Sequence, residues 1–221
     1  MGTLNRRGTI AMSKLQNTTW ALAAVQYVKT PRGYNDKPER TILAFNNGEL
    51  NKIEDDKTAE EYQQGFIQMM KEAKVAIQEL VDHTGRYEGK DKELDGKRQM
   101  KIHARFALER GFGNCTHQAA LAFRYLKKIC QAPRVDIMFA DYKAKYNDDS
   151  HVFVVIGRVD GSASREPGTW GDEAVICDPW APTGLQVYDA TELPEKMRQV
   201  LGNFTLGGSG ARIGEDGRPK W

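Results

Sequence analysis

The stretch Gly111-Phe-Gly-Asn-Cys-Thr-His-Gln-Ala-Ala-Leu-Ala-Phe-Arg-Tyr-Leu126 decides how the rest of the chain is read. A Gly-rich turn delivers Asn114 and then Cys115. From there Leu121, Ala122, Tyr125, Leu126 and Ile129 recur at helical spacing and make one apolar stripe. Asn114 is suited to cap that helix, because its side-chain oxygen can accept a free N–H of the first turn. The Cys115 sulfur then sits at a helix N-terminus, where the partial positive charge favours thiolate over thiol. Backbone N–H groups at the same end can hold a developing oxyanion.

Outward from this helix the chain divides by period. Thr41–Phe45 and Glu49–Ile53 flank Asn46-Asn47-Gly48 and read as a hairpin. Thr58 and Glu61 have capping-box spacing, and Tyr62, Phe66, Met69, Ala73, Ile77 and Leu80 continue as a helical stripe. Tyr87 to Lys97 reads as charged loop, and Gln99–Arg110 as another helix ending in the Gly111/Gly113 turn. Trp20–Val28 is apolar and compatible with either strand or helix.

After Pro133 the period becomes two. Val135, Ile137 and Phe139 alternate as in a strand, and Asp141–Ser150 reads as a charged loop. His151-Val-Phe-Val-Val-Ile-Gly-Arg-Val159 is apolar on both faces and reads as a central strand opened by His151. Glu173–Cys177 is a short strand that ends at Asp178-Pro179-Trp180, and Leu185–Tyr188 reads as one more. Pro194–Leu201 is a short helix with proline in its first turn. The expected architecture is α+β, a helical first half with the cysteine at a helix N-terminus packed on an antiparallel sheet. Residues 1–14 are expected to be a flexible segment, 15–205 a single catalytic domain and 206–221 a flexible Gly-rich tail.

Bulk properties narrow the function classes. The chain has 221 residues and a net charge of +2, with basic and acidic residues interspersed. That pattern describes a solvated surface and gives no nucleic-acid footprint. No apolar run reaches the length of a membrane span, and the first residues lack the apolar core of a signal peptide. Three cysteines without metal or disulfide spacing fit thiols in a reducing compartment, with no metal or cofactor expected.

A thiolate nucleophile needs a base, and the base an orienting partner. Of the four histidines, His83 and His103 lie in or beside helices without a visible partner. His117 is two residues from Cys115, so on a helix it points away from the sulfur. His151 opens a strand at a sheet end, where its ring can reach a cleft, and is the expected base. Asp178 ends the neighbouring strand and is the expected orienter, with Asp172, Asp148 and Asp149 as weaker alternatives in loops.

Gly113-Asn114-Cys115, His151-Val152-Phe153-Val154 and Val175-Ile176-Cys177-Asp178-Pro179-Trp180 resemble the Cys, His and Asp blocks of the papain-like and transglutaminase-like superfamily. Within it the blocks are most similar to the bacterial toxin and effector branch, which holds glutamine deamidase domains of the Pasteurella toxin type and YopT-type cysteine proteases. The resemblance spans roughly Gly111–Trp180. It implies a papain-like core with Cys115 as nucleophile, His151 as general base and acid, and Asp178 as orienter. It also implies a protein substrate, and a soluble chain that could be secreted into a host cytosol without a signal peptide. Papain-type proteases carry a glutamine oxyanion donor about where this chain has Glu109. Asn114, Gln118 and Trp180 are the candidates to bind substrate or oxyanion in its place, beside backbone N–H groups. Glutamine deamidation or transamidation is the expected chemistry. The alternatives are a cysteine protease and an inert binding module of the same fold.

Overall fold

Alternation along the strands, with apolar side chains on both faces, sets the architecture. The computed structural model describes residues 13–29, 43–44, 92–110, 112–143 and 148–213, with scattered helical positions between 64 and 75. Five strands form one sheet in the order β6-β5-β4-β3-β7, each neighbouring pair antiparallel. They are β3 (Val135–Lys143), β4 (Asp148–Ile156), β5 (Val175–Cys177), β6 (Val187–Asp189) and β7 (Phe204–Ile213). Along β4, Val152, Val154 and Ile156 join one core, and Phe153 and Val155 join the other. A strand sandwiched in this way reads as unbroken apolar sequence, which is why the His151 segment carries no period-two signal.

The first core lies under helices. α1 (Lys14–Lys29) buries Ala21, Ala24, Val25 and Val28. α2 (Lys92–Arg110) contributes Met100, Ala104 and Ala107, and α3 (Cys115–Lys128) contributes Ala119, Leu121, Ala122 and Leu126. Small residues dominate these helix faces, so the backbones can approach closely. Asn17 on α1 is buried and donates through Nδ2 to the carbonyl of Glu173 at 2.8 Å, which fastens the first helix to the entry of β5. Gly157, with φ +80, ends β4 against this amide, and a Cβ there would run into the Asn17 side chain.

The second core lies on the opposite face, where Met138, Phe153 and Ile176 meet Trp170, and Leu193 and Met197 of α4 (Leu193–Leu201). The loop between β4 and β5 folds back with Trp170 inward, its Nε1 donating to Ala163 O at 2.8 Å. Beside it a buried pair, Arg158 Nε to Asp136 Oδ2 at 3.0 Å, joins the chain after β4 to β3.

Trp20–Val28, open between strand and helix by sequence, is helical, within α1. Several other sequence expectations are corrected. α2 begins at Lys92, so much of the charged stretch assigned to a loop forms its first turns; Lys and Glu are good helix formers, so a charged stretch need not be a loop. Asp141–Ser150 is largely strand, because the β3–β4 ladder continues to Lys143↔Asp148. His151 is therefore the fourth residue of β4 and does not open it. The flexible tail expected from residue 206 is strand through Ile213, paired with β3 from Tyr142↔Phe204 to Val135↔Ile213. Backbone hydrogen bonding holds this Gly-rich segment where side-chain pattern gives no hint of a strand. Ile129 lies past the end of α3 and is 66% exposed, so it leaves the apolar stripe. Of the predicted hairpin at 41–53, only β1 (Leu43–Ala44) is described; it pairs in parallel with β2 (Phe112–Gly113), shortly before Cys115. The remainder of that hairpin, most of the helix predicted from Thr58 apart from the scattered helical positions between 64 and 75, residues 1–12 and residues 214–221 lie outside the described residues. No helix among the described residues is long and apolar enough to cross a membrane.

Candidate active site

Asn114 caps α3 from an extended backbone, φ −81 and ψ −171. Its Oδ1 accepts from the backbone N–H of His117 at 3.4 Å and lies 2.7 Å from the same residue's ring Nδ1. The Asn114 carbonyl accepts from Gln118 N at 3.0 Å, which closes the first turn. Cys115 and Thr116 remain as first-turn amides without an intrahelical acceptor. The Cys115 thiol is partly exposed and points its weak donor at Ser150 O on β4, 3.9 Å away.

The next residue on β4 is His151, 1% exposed. Its Nε2 lies 2.7 Å from Asp178 Oδ2, with both side chains almost completely buried. Adjacency of β4 and β5 produces this contact, since Asp178 is the first residue after β5. The carboxylate is itself held: Oδ1 accepts from Ala181 N at 3.3 Å, and the Asp178 amide donates to Gln186 O at 2.8 Å. Burial alone would lower the imidazole pKa, but the Asp178 charge and hydrogen bond, helped by Cys115, outweigh it and raise His151 to about 10.

With Nε2 given to Asp178, the ring nitrogen left over is Nδ1. It is buried and has no partner at hydrogen-bond distance among the described residues. The Cys115 thiol lies near enough to help raise the imidazole pKa. Trp180 covers the ring at 4.8 Å, tilted by 46°, and Phe153 stacks at 6.2 Å. These apolar covers keep water from competing for the His151–Asp178 hydrogen bond.

The structure thus brings Cys115, His151 and Asp178 together. Of the substrate candidates, Asn114 adjoins the sulfur as cap residue. Trp180 lies on the His151 ring, with its Nε1 buried and without a partner among the described residues. Gln118 is different: its Nε2 donates to Gly113 O at 3.2 Å, so the side chain ties the turn to the helix and that donor is already committed. Glu109 is exposed on α2 with its carboxylate 3.7 Å from Arg105. Asp172 is exposed in the turn before β5, while Asp178 occupies the place beside His151. His83 and the side chains of Asp148 and Asp149 are outside the described residues.

Sequence reasoning passed over one pair. His103 and His117 are both buried, with His103 Nδ1 3.4 Å from His117 Nε2 and the rings edge to face. Burial lowers His103 to about 4, and burial with the neighbouring His103 lowers His117 to about 3, so both are neutral at physiological pH. The signal was present: His103 falls on the stripe Met100, Ala104, Ala107 that faces the core. Among the described residues no group of three or more acidic, His or Cys side chains could hold a metal ion.

The fold is α+β with an antiparallel sheet, and a thiol, an imidazole and a carboxylate converge at one end of it. Comparison with protein-family models, characterised proteins and solved structures finds no match to this chain.

Proposed function

We propose that this chain is a cysteine-dependent acyl-transfer enzyme that modifies a glutamine side chain of a partner protein through a thioester at Cys115. The observation that carries the reading is the buried 2.7 Å contact between His151 and Asp178, with a cysteine at a helix N-terminus near enough to raise the imidazole further. Structural histidines and carboxylates rarely combine burial, ion pairing and a thiol neighbour at a cleft.

The chemistry runs from that arrangement. Asp178 accepts the Nε2–H and stabilises the imidazolium, leaving Nδ1 to exchange a proton with the sulfur. Cys115 Sγ attacks the carboxamide carbon, and the oxyanion develops beside the free first-turn amides of α3. The C–N bond breaks as His151 Nδ1 gives its proton to the departing ammonia. Water, or an amine, then attacks the thioester while Nδ1 takes its proton, and the Cys115 sulfur leaves. Water yields glutamate and an amine yields a substituted glutamine.

Two features favour a glutamine side chain over a main-chain bond. Glu109 is turned to Arg105 and exposed, so no side-chain donor arrives from the position where papain-like proteases carry one. The β3–β4 ladder continues three register pairs past Ala140↔His151, to Lys143↔Asp148. In this reading the extended hairpin offers a folded partner a surface to dock against beside the sulfur. The resemblance to the toxin and effector branch supports this reading and suggests a host-cell protein as the partner.

The test incubates wild type and Cys115→Ala with a host-protein pool and a biotinylated primary amine. Gln-to-Glu conversion or amine incorporation that depends on Cys115 is expected. New N-termini at a defined sequence, dependent on Cys115, would replace this reading by a protease, and no Cys115-dependent change would leave a binding module.

A further inference from the structure

We infer that His103 and His117 form a neutral, tautomer-locked hydrogen-bond chain that fixes Asn114 and thereby positions Cys115 for reaction. The inference rests on the reading of Cys115 as nucleophile and adds positioning residues to it.

The direction of the chain follows from one backbone group. The amide N–H of His117 can only donate, so the Asn114 atom it faces is oxygen. The His117 Nδ1, 2.7 Å from that same oxygen, must then carry its proton and donate as well. A neutral imidazole with hydrogen on Nδ1 has its lone pair on Nε2. The Nε2 of His117 lies 3.4 Å from His103 Nδ1, so His103 donates there. Every link is set by the one before it, from α3 across to α2.

The site is built around these rings. Gly113 sits so close to His117 that a Cβ would overlap the His117 Cβ and lie 3.0 Å from its Cγ. The turn that delivers the nucleophile therefore rests on this imidazole, and glycine is required for the close approach. The same turn is paired through Phe112–Gly113 with β1 and tied through Gly113 O to Gln118. His117 is fully buried, so its ring is no surface contact of chance.

The consequence lies at the next residue. A cap held by one 3.4 Å backbone bond alone frays readily; the 2.7 Å ring contact holds Asn114 Oδ1 in place. With the cap fixed, the first-turn amides stay aligned and the Cys115 sulfur stays opposite His151. His103 acts one step further back, by keeping the His117 proton on Nδ1.

The experiment measures the iodoacetamide rate at Cys115 by peptide mapping at neutral pH, with buried Cys177 as the folding control. His117→Asn retains a donor at the δ position, whereas His117→Gln moves it to the ε position in a side chain of similar polarity. The expected rates are within about threefold of wild type for His117→Asn and about tenfold lower for His117→Gln. His103→Asn and His103→Ala repeat the contrast one residue further from the sulfur, with about a threefold loss for alanine only. If Cys177 becomes labelled in the His117 variants, the fold has been lost and the His103 pair decides. Equal Cys115 rates within the pair that folds would overturn the inference. A wild-type Cys115 no faster than Cys130 would instead refute the nucleophile reading on which it rests.

Discussion

Asp178→Asn is the most informative single change. The two oxygens of Asp178 have different duties: Oδ1 accepts from Ala181 N, and Oδ2 from His151 Nε2. An asparagine has only one oxygen. If that oxygen keeps the Ala181 bond, its NH2 meets Nε2 as a donor and drives the imidazole proton to Nδ1. If it keeps the His151 bond, two N–H groups confront each other at Ala181. Either way the carboxylate charge that holds His151 up at about 10 is gone, and burial, the largest single influence, is then opposed only by the smaller effect of Cys115 and lowers the imidazole. Below the ordinary value of about 6.5, less than about a quarter of the rings are protonated at pH 7. Turnover of a protein glutamine should fall by about 10²–10⁴. The raised folded-state pKa stabilises the wild-type fold fully below about 6.5 and loses that contribution as pH rises through about 10, so the variant should lack this slope. Titration of the histidine ring by nitrogen NMR reads the effect without a substrate. An imidazolium persisting toward pH 10 in folded Asp178→Asn, or a wild-type His151 already neutral at pH 7, would refute the reasoning.

Other outcomes follow from the same contacts. Cys115 should be alkylated fastest of the three thiols, because burial raises the Cys130 thiol pKa despite the opposing Tyr125 hydrogen bond, and Cys177 is fully buried with its thiol pushed far up; competition labelling by mass spectrometry ranks them. Gly157→Ala places a side chain at φ +80 and into the Asn17 amide, and should lose at least about 1–2 kcal/mol in urea unfolding. Arg158→Met leaves Asp136 buried without its cation and should cost about 3–5 kcal/mol by the same measurement, with Cys115 labelling unchanged in the folded protein.

The three candidate side chains were legible because each sits at a boundary between periods: the first residue of a helical stripe directly after its cap, a polar residue before an apolar run, and an Asp-Pro after one. The short strands and α4 were legible for the same reason. The β3–β4 hairpin was not, since its outer rungs Tyr142↔Asp149 and Lys143↔Asp148 carry polar side chains that satisfy the ladder through backbone alone. β7 was hidden by its glycines for the same cause. His103 and His117 lie on different helices, and no periodicity in the sequence says that the two will meet; here each answers the other. The role of Gln118 also depended on a direction that sequence does not carry, toward Gly113 O.

The most direct test of the account is the alkylation rate of Cys115 at mildly acidic pH, compared between wild type and His151→Ala. An unassisted thiol, with a pKa near about 8.5, is almost silent there. Wild type should react readily, because the imidazolium held by Asp178 faces the sulfur. His151→Ala should lose most of that rate while Cys177 stays unlabelled. Equal rates in the two folded proteins would contradict the pairing of Cys115 with His151 and, with it, the proposed chemistry.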